Sequence, residues 1–352
     1  MTALYIIVAI LIFGLLVAIH ELGHFTAAKL CGVRVTEFAV GMGPAILKKQ
    51  GKETLYSLRC IPFGGFCAME GEDEDSDDPR AFTNQKPWKR LIILVAGSFM
   101  NFLLGLVIVL ILYSSADYFR APVIDSFFDG CPYESAEGLQ VGDRFIRIDG
   151  KRVWQSDEVA ELLARGGEEH DIVVRRDGRL VKLEDFHFVP IEYEGYERKM
   201  YGFSFGVDRA SFGNTVRYSW NTSMRFVRLV WDGLAQLVHG KVSVNDLSGP
   251  VGIIDYMAET GEQAESVRAG MYDIFFFGAF IAVNLAVMNM LPIPALDGGR
   301  VFLLIVTAII EGITRKKLNP KYEGYIHAAG MILLLALMAY VMLHDIIRVV
   351  TK

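Results

Sequence analysis

The sequence predicts a polytopic α-helical membrane protein with four transmembrane helices, a membrane-associated β-hairpin and an inserted α+β domain. Three observations lead to this fold class. Hydrophobic residues make up 52% of the 352 residues while 22% are charged, so long apolar segments must alternate with an ordinary soluble part. Four stretches are apolar enough to span a bilayer core of about 30 Å, which takes about 20 helical residues. The region between the second and third stretches instead alternates strand and turn signals.

The first apolar stretch runs from Leu4 to Leu30, and no Lys or Arg precedes it. A signal peptide normally begins with a positively charged region, and a removable segment would not carry His20 and Glu21, so we expect this stretch to be retained. The other stretches run from Leu91 to Tyr113, from Ile274 to Leu296 and from Tyr325 to Leu343. The apolar run from Val301 to Ile310 is too short to span and is expected to form a short helix.

These stretches divide the chain into predicted domains. In chain order they are the first half of a membrane core in residues 1–116, a soluble domain in residues 117–207, an amphipathic juxtamembrane segment in residues 208–270 and the second half of the core in residues 271–352. Within the juxtamembrane segment, Arg217 to Val238 is amphipathic. It either lies on the outer membrane surface or packs on protein.

Basic residues near the ends of the stretches predict their orientation, because Lys and Arg concentrate in cytoplasmic loops. The first and last loops hold Arg34, Lys48, Lys49, Lys52, Arg59, Arg80, Lys86, Lys89 and Arg90, and Arg300, Arg315, Lys316, Lys317 and Lys321 respectively. We therefore expect a multi-pass protein of the plasma membrane with both loops in the cytoplasm. Its N-terminus, its soluble domain and its C-terminus would lie outside.

The first cytoplasmic loop is predicted to contain a β-hairpin in residues 33–66. Two strand-like runs, Arg34 to Val40 and Thr54 to Arg59, are separated and followed by glycines and prolines. A dense acidic run in residues 70–78 comes next. Such a run is typical of a solvated, mobile face, and metal binding is its minor interpretation.

The soluble domain is clearest from Gly138 to Val153, where Gly-Asp and Asp-Gly pairs flank an alternating strand. An amphipathic helix is predicted from Ser156 to Leu163. A further strand is predicted from Asp171 to Arg176, before an Asp-Gly turn.

Charge and cysteine content exclude some functions. The net charge of −6 gives no basis for a nucleic-acid partner. None of the four cysteines forms a C-x-x-C pair, so a cysteine zinc site is not expected. Cys60 and Cys67 could approach one another across the hairpin, but free thiols are the preferred interpretation.

The motif His20-Glu21-Leu22-Gly23-His24 carries the sharpest chemical signal. Histidines four residues apart lie on one face of a helix, so both imidazoles can reach one Zn²⁺, and Glu21 beside them can take a proton from water. Ionisable groups within an apolar span are costly unless they are functional. The alternative is a set of buried polar groups that satisfy one another.

Catalytic zinc sites use three protein ligands and water, so a third ligand is needed. Asp297 follows the third stretch. Since the first and third stretches run in the same direction, His20, His24 and Asp297 should reach similar depth. Alone, Asp297 would be interpreted as a turn residue before two glycines.

The His20–His24 motif and the segment from Asn289 to Gly298 together resemble the site-2 protease family of intramembrane zinc metalloproteases. The segment from Gly142 to Val153 resembles a PDZ domain. The combination, which covers nearly the whole chain, is similar to the bacterial regulator-of-sigma-E protease type with one PDZ domain.

This resemblance implies roles for particular residues. His20, His24 and Asp297 would bind zinc, Glu21 would be the catalytic general base, and Asn289 and Pro292 would handle substrate near the metal. Two further family-like segments are Gly41 to Pro44, in a membrane-re-entrant hairpin, and Ser248 to Gly252. The chain departs from the family's Gly-Pro-x-x-Asn pattern in the second stretch. There Gly97 is followed by Ser98, and Asn101 either faces the site or packs between helices.

The implied activity is regulated intramembrane proteolysis of single-span membrane proteins in the lipid bilayer, for example anti-sigma factors or remnant signal peptides. An exposed edge strand from Arg34 to Arg59 could hold an extended substrate by strand addition, and the PDZ-like domain is expected to bind or exclude substrate ectodomains. Two rival classes remain. A PDZ-bearing membrane adaptor would have a broken zinc triad, and a transporter would show internal repeats and polar residues spread over several spans.

Overall fold

The computed structural model describes residues 2–72, 76–193, 198–240, 249–314 and 320–351. It divides into two compact units. The first unit comprises Met1–Val109 and Phe226–Lys352, and the second unit comprises Leu110–Arg225. The predictions made for residues 73–75, Ser248 and residues 315–317 lie outside the described residues.

The described residues form eight helices and eight strands, and the last five helices follow one another without a strand between them. The helices are α1 Thr2–Cys31, α2 Pro87–Tyr113, α3 Asp157–Arg165, α4 Phe212–Val238, α5 Pro250–Gln263, α6 Val267–Asn289, α7 Asp297–Thr314 and α8 Pro320–Thr351. The strands are β1 Val35–Gln50, β2 Leu55–Met69, β3 Tyr118–Phe127, β4 Arg144–Ile148, β5 Lys151–Arg152, β6 Glu169–Arg176, β7 Arg179–His187 and β8 Phe203–Arg209.

Within the part of the chain that the structure describes, four helices are long and apolar enough to cross a membrane: α1, α2, α6 and the Gly324–Met342 part of α8. This confirms the predicted number of candidate spans. Along α1, the side chains of Ile7, Leu11 and Leu15 recur every four residues and are exposed. A stripe of this kind suits contact with lipid, which solvates apolar side chains as water cannot.

The third predicted span ends earlier than expected. The prediction that it reaches Leu296 is wrong, because α6 ends at Asn289 and Asp297 is the first residue of the next helix, α7. The cause is local. Pro292 and Pro294 lack an N–H and disfavour helical backbone in the residues before them. The apolar composition of the intervening segment hid this break.

The first unit has an apolar core between α1, α5 and α6. Buried residues of α1 lie three or four positions apart, so they share one helix face. The members of this core are Tyr5, Ala9, Ile12, Leu16, Met257, Ala258, Ile274, Ile281 and Ala282. This packing brings α1 and α6 into contact. The C-terminal end of α6, which leads to Asp297, is thereby held close to the C-terminal half of α1.

Strands β1 and β2 form the predicted antiparallel hairpin, which extends to Met69. Residues 37–40 pair on one side with residues 55–58 and on the other side with residues 65–68. The two long strands therefore bend back on themselves. Gly41 and Gly64 each have φ +88° beside the bends, a backbone conformation that costs glycine little. The resulting sheet has residues 45–50 along one edge and residues 65–69 along the other.

The second unit is built around an antiparallel sheet with strand order β7-β6-β4-β3-β8, to which β5 adds by pairing with β4. The strand and helix predicted between residues 138 and 176 are confirmed by β4, α3 and β6. Its core includes Leu139, Phe145, Ile148, Leu163, Ile172 and Phe188. All four cysteines of the chain are free, as the sequence favours.

Candidate metal centre

Three predicted ligands converge in the first unit. On α1, Nε2 of His20 lies 3.2 Å from Nε2 of His24. Oδ2 of Asp297, at the start of α7, lies 3.2 Å from the first of these nitrogens and 3.3 Å from the second. The three side chains are only 12%, 9% and 20% exposed. The structure thus brings together residues from opposite ends of the sequence.

The geometry of these atoms fits tetrahedral zinc. Bonds of about 2.0–2.1 Å at tetrahedral angles place ligand atoms about 3.3–3.4 Å apart, close to the observed separations. Oδ2 of Asp297 is also buried without a hydrogen-bond partner among the described residues. A cation between the carboxylate and the two imidazoles would compensate it, since an unpaired buried charge is costly. The donor set of two imidazoles and one carboxylate is one that catalytic zinc uses.

Helix α2 forms one wall of the centre. Nδ1 of His24 donates to the carbonyl oxygen of Ile93 at 2.8 Å, which leaves the lone pair on Nε2 facing the site. Nδ1 of His20 lies 3.4 Å from the amide nitrogen of Asn101. Sequence reasoning missed Ile93, since any residue can supply a carbonyl, and left Asn101 undecided.

Two glycines let α1 and α2 approach closely at this wall. A Cβ on Gly23 would lie 2.4 Å from the carbonyl oxygen of Ala96, and a Cβ on Gly97 would lie 2.3 Å from Nε2 of His24. Real Cβ atoms do not come so near to other heavy atoms. The space for the metal therefore depends on the absence of a side chain at Gly97.

Asp297 is positioned by a tight loop before α7. A Cβ on Gly298 would lie 2.2 Å from the carbonyl carbon of Met290, and one on Gly299 would lie 2.2 Å from the carbonyl oxygen of Ile293. Ala295 has φ +80°, which is uncommon for a residue with a side chain and persists only where packing imposes it. The two glycines after Asp297 thus fold the first turn of α7 against its own loop.

An ion pair also joins α7 to the acidic run. Arg300, one turn after Asp297, pairs with Glu72, whose side chain is 16% exposed. The expectation that residues 70–78 form a wholly solvated face is wrong at Glu72, because Arg300 compensates its charge. Glu70 is also bonded, accepting from the hydroxyl of Ser76 at 2.8 Å.

The hairpin lies beside the predicted general base. A Cβ on Gly65 would lie 3.1 Å from Cγ of Glu21 and 3.3 Å from Cγ1 of Val17, so β2 runs directly along α1 at this point. The segment that does so, residues 65–69, is an edge of the sheet. Of the edge strand expected from Arg34 to Arg59, residues 45–50 do form an edge, whereas residues 37–40 pair on both sides.

The surroundings shift the pKa values of two titratable groups of the hairpin. Burial, with smaller contributions from Glu21 and Glu72, raises the pKa of the Cys67 thiol to about 12. This thiol stays protonated, and a thiol is a poor metal ligand compared with a thiolate. Burial tends to raise the pKa of Glu37, but hydrogen bonds from Ser57 and Arg59, at 2.7 Å each, lower it below its ordinary value.

The two residues predicted to handle substrate, Asn289 and Pro292, lie in the chain segment that leads from α6 to Asp297. Asn289 is the last residue of α6, and Pro292 is exposed in the loop that follows. Within the described parts of the chain, no side-chain hydrogen bond joins Asn289 to the three converging ligands. Their role in handling substrate stays a prediction.

The chain is similar to known proteins over nearly its whole length. Residues 8–337 match the model of Peptidase family M50. A putative zinc metalloprotease of Clostridium acetobutylicum is 37% identical over 346 residues, covering 97% of each chain. The zinc metalloprotease RasP of Shouchella clausii is 30% identical, over 96% of this chain and 97% of its own. The regulator of sigma-W protease RasP of Bacillus subtilis is 27% identical, over 97% and 98%.

Proposed function

Since the chain belongs to Peptidase family M50 and is a zinc metalloprotease, we propose that it cleaves single-span membrane proteins within or beside the bilayer. His20, His24 and Asp297 are the proposed zinc ligands, and Glu21 is the proposed general base. The observation that carries this proposal is the convergence of three ligand atoms at 3.2–3.3 Å beside an apolar helix that is long enough to span a membrane.

The residues divide the chemistry between them. When bound, zinc supplies Lewis acidity, lowering the pKa of water toward about 7 and polarising the substrate carbonyl. Glu21, next to His20 on α1, takes the proton of the attacking water and passes it to the leaving amine. The buried walls of the centre limit access of bulk water, which strengthens these electrostatic effects.

Substrate is held in an extended form. A helix in lipid keeps its carbonyls in internal hydrogen bonds, so the scissile segment must unwind before attack. We propose that it adds as a strand to the edge formed by residues 65–69, which lies along α1 at Glu21. Main-chain hydrogen bonds at a sheet edge replace those that the substrate helix loses. Asn289 and Pro292 are proposed to contact substrate from the loop that leads to Asp297.

The proposed orientation places the metal centre toward the cytoplasm, with both termini and the second unit outside. It rests on the basic residues of the first and last loops. The substrates of this activity are proposed to include anti-sigma factors, since the Bacillus subtilis relative is named a regulator of sigma-W protease. Remnant signal peptides are also single membrane spans and are proposed as a second group of substrates.

The test is cleavage of a tagged, pre-shortened single-span substrate co-expressed with the chain. Glu21→Gln should lower cleavage by about 10²–10⁴-fold, because it keeps the shape of the side chain but cannot accept the proton. The variant should still bind zinc, and a zinc chelator should stop cleavage by the wild type. Glu265→Gln, an exposed glutamate of the same unit, is the matched control and should cleave normally. Undiminished cleavage by Glu21→Gln would refute Glu21 as the base.

A further inference from the structure

Asn101 is a buried amide with one unsatisfied atom. Its side chain lies within α2 and is 1% exposed. Its nitrogen is 3.4 Å from Nδ1 of His20, while its Oδ1 has no hydrogen-bond partner among the described residues. Burying an amide in an apolar span without compensation costs free energy. Of the two polar atoms of this amide, only the one that faces Nδ1 of His20 has a neighbour among the described residues.

Zinc binding places a demand on His20 that Asn101 can meet. A histidine that binds metal through Nε2 carries its proton on Nδ1, and that N–H needs an acceptor. For His24 the acceptor is the carbonyl oxygen of Ile93 at 2.8 Å. For His20 the group opposite Nδ1 is the amide of Asn101. Rotating the planar side-chain amide of Asn101 by about 180° exchanges its nitrogen and oxygen. The oxygen, an acceptor, then lies opposite Nδ1 of His20.

The spacing on α2 supports this match. Ile93, Gly97 and Asn101 are four residues apart, so they lie on one face of the helix. This face presents a backbone acceptor to His24, a gap that admits both imidazole rings, and a side-chain acceptor to His20. One helix face thus contacts both histidines, with Ile93 and Asn101 opposite their Nδ1 atoms and Gly97 beside Nε2 of His24.

We propose that Asn101 is a positioning residue for zinc: its side-chain carbonyl accepts the Nδ1–H of His20 and holds Nε2 toward the metal. The inference rests on the proposed function, because it concerns the same centre. The present separation of 3.4 Å shortens by about 0.3–0.5 Å to an ordinary N–H···O length when the acceptor faces the ring. The bond fixes the tautomer of His20 in the metal-binding form.

The test is the zinc affinity of the full-length chain, purified in detergent and measured by competition with a chelator. Asn101→Leu keeps the approximate size but removes the acceptor, so its affinity should fall about 10- to 100-fold, as for other outer partners of metal-binding histidines. Asn101→Asp keeps the shape and the acceptor and should retain wild-type affinity. Ser98→Ala, which removes another buried polar atom of α2, is the control and should bind as the wild type does.

The outcomes separate this inference from the proposed function. A wild-type chain that binds no zinc would overturn both. Zinc binding by the wild type with undiminished affinity in Asn101→Leu would overturn only the role of Asn101. Equal losses in Asn101→Leu and Asn101→Asp would also overturn it, because they would indicate packing rather than an acceptor. Asn101→Ala also removes the acceptor, without introducing a larger apolar side chain. Measuring the unfolding of the zinc-free proteins shows whether a variant has lost zinc affinity or has lost its fold.

Discussion

At the scale of single residues, the chemistry of the centre was predictable where it depends on residue type. Two histidines four apart and a carboxylate after a span of the same direction predict a three-ligand zinc site, and His20, His24 and Asp297 do converge. Contributions from the backbone were not predictable. The carbonyl oxygen of Ile93 has no sequence signature, and the need for glycine at position 97 arises only once two helices touch.

Gly97→Ala tests how closely the centre is packed. The new methyl group would lie 2.3 Å from Nε2 of His24, so a ring or the helix must move. Overpacking of this kind costs about 1–3 kcal/mol, and zinc affinity should fall by roughly five- to 150-fold, with cleavage reduced in parallel. Chelator competition measures the affinity. Gly233→Ala is the control, because a Cβ there meets nothing within 4 Å, and equal zinc affinity in the two variants would contradict the packing described.

At the scale of elements, the helices were predictable because length and apolarity suffice to identify them. The end of α6 was not, since Pro292 and Pro294 stop the helix inside an apolar run. The hairpin of β1 and β2 was predictable from strand runs and punctuating glycines. The bending of the two strands back on themselves was not predictable. Residues 37–40 pair on both sides because the strands bend, and the alternation of apolar and polar residues does not encode these bends.

Because β3 pairs with β8, most of the second unit can be deleted and the chain rejoined over a short distance. This deletion tests whether the second unit excludes substrates with large ectodomains. Tyr118 pairs with Arg209, and the N–H of Ala210 donates to the carbonyl of Asp117 at 3.0 Å, so the two ends are adjacent. Deleting residues 118–209 and joining the ends through two glycines should leave cleavage of a shortened substrate intact. Substrates with an untrimmed ectodomain should then be cleaved too, because the soluble domain that is expected to exclude substrate ectodomains has been removed.

Gel analysis of both substrates measures this selectivity. Inserting two glycines at the exposed turn between Asp177 and Gly178 is the matched control, since it alters the same unit without removing it. That variant should keep the wild-type preference. Continued refusal of the untrimmed substrate by the deletion variant would contradict the proposed filter.

At the scale of the whole molecule, the fold class followed from how apolar and charged segments alternate. The described residues contain four candidate spans and two groups of β-strands, as predicted. The direction of the spans alone predicts that His20, His24 and Asp297 reach similar depth, which is why a contact between distant parts of the chain could be predicted. The rival classes explain less, because neither an adaptor nor a transporter requires three ligand atoms at tetrahedral spacing beside a glutamate.

The central claim is that His20, His24 and Asp297 together bind zinc. X-ray absorption spectroscopy of the zinc-loaded full-length chain tests it most directly. We expect one zinc per chain with only nitrogen and oxygen neighbours at about 2.0–2.1 Å and the outer-shell signal of two imidazoles. A sulfur neighbour at about 2.3 Å would contradict the claim by pointing to a cysteine such as Cys67, and the signal of one imidazole would contradict the paired histidines.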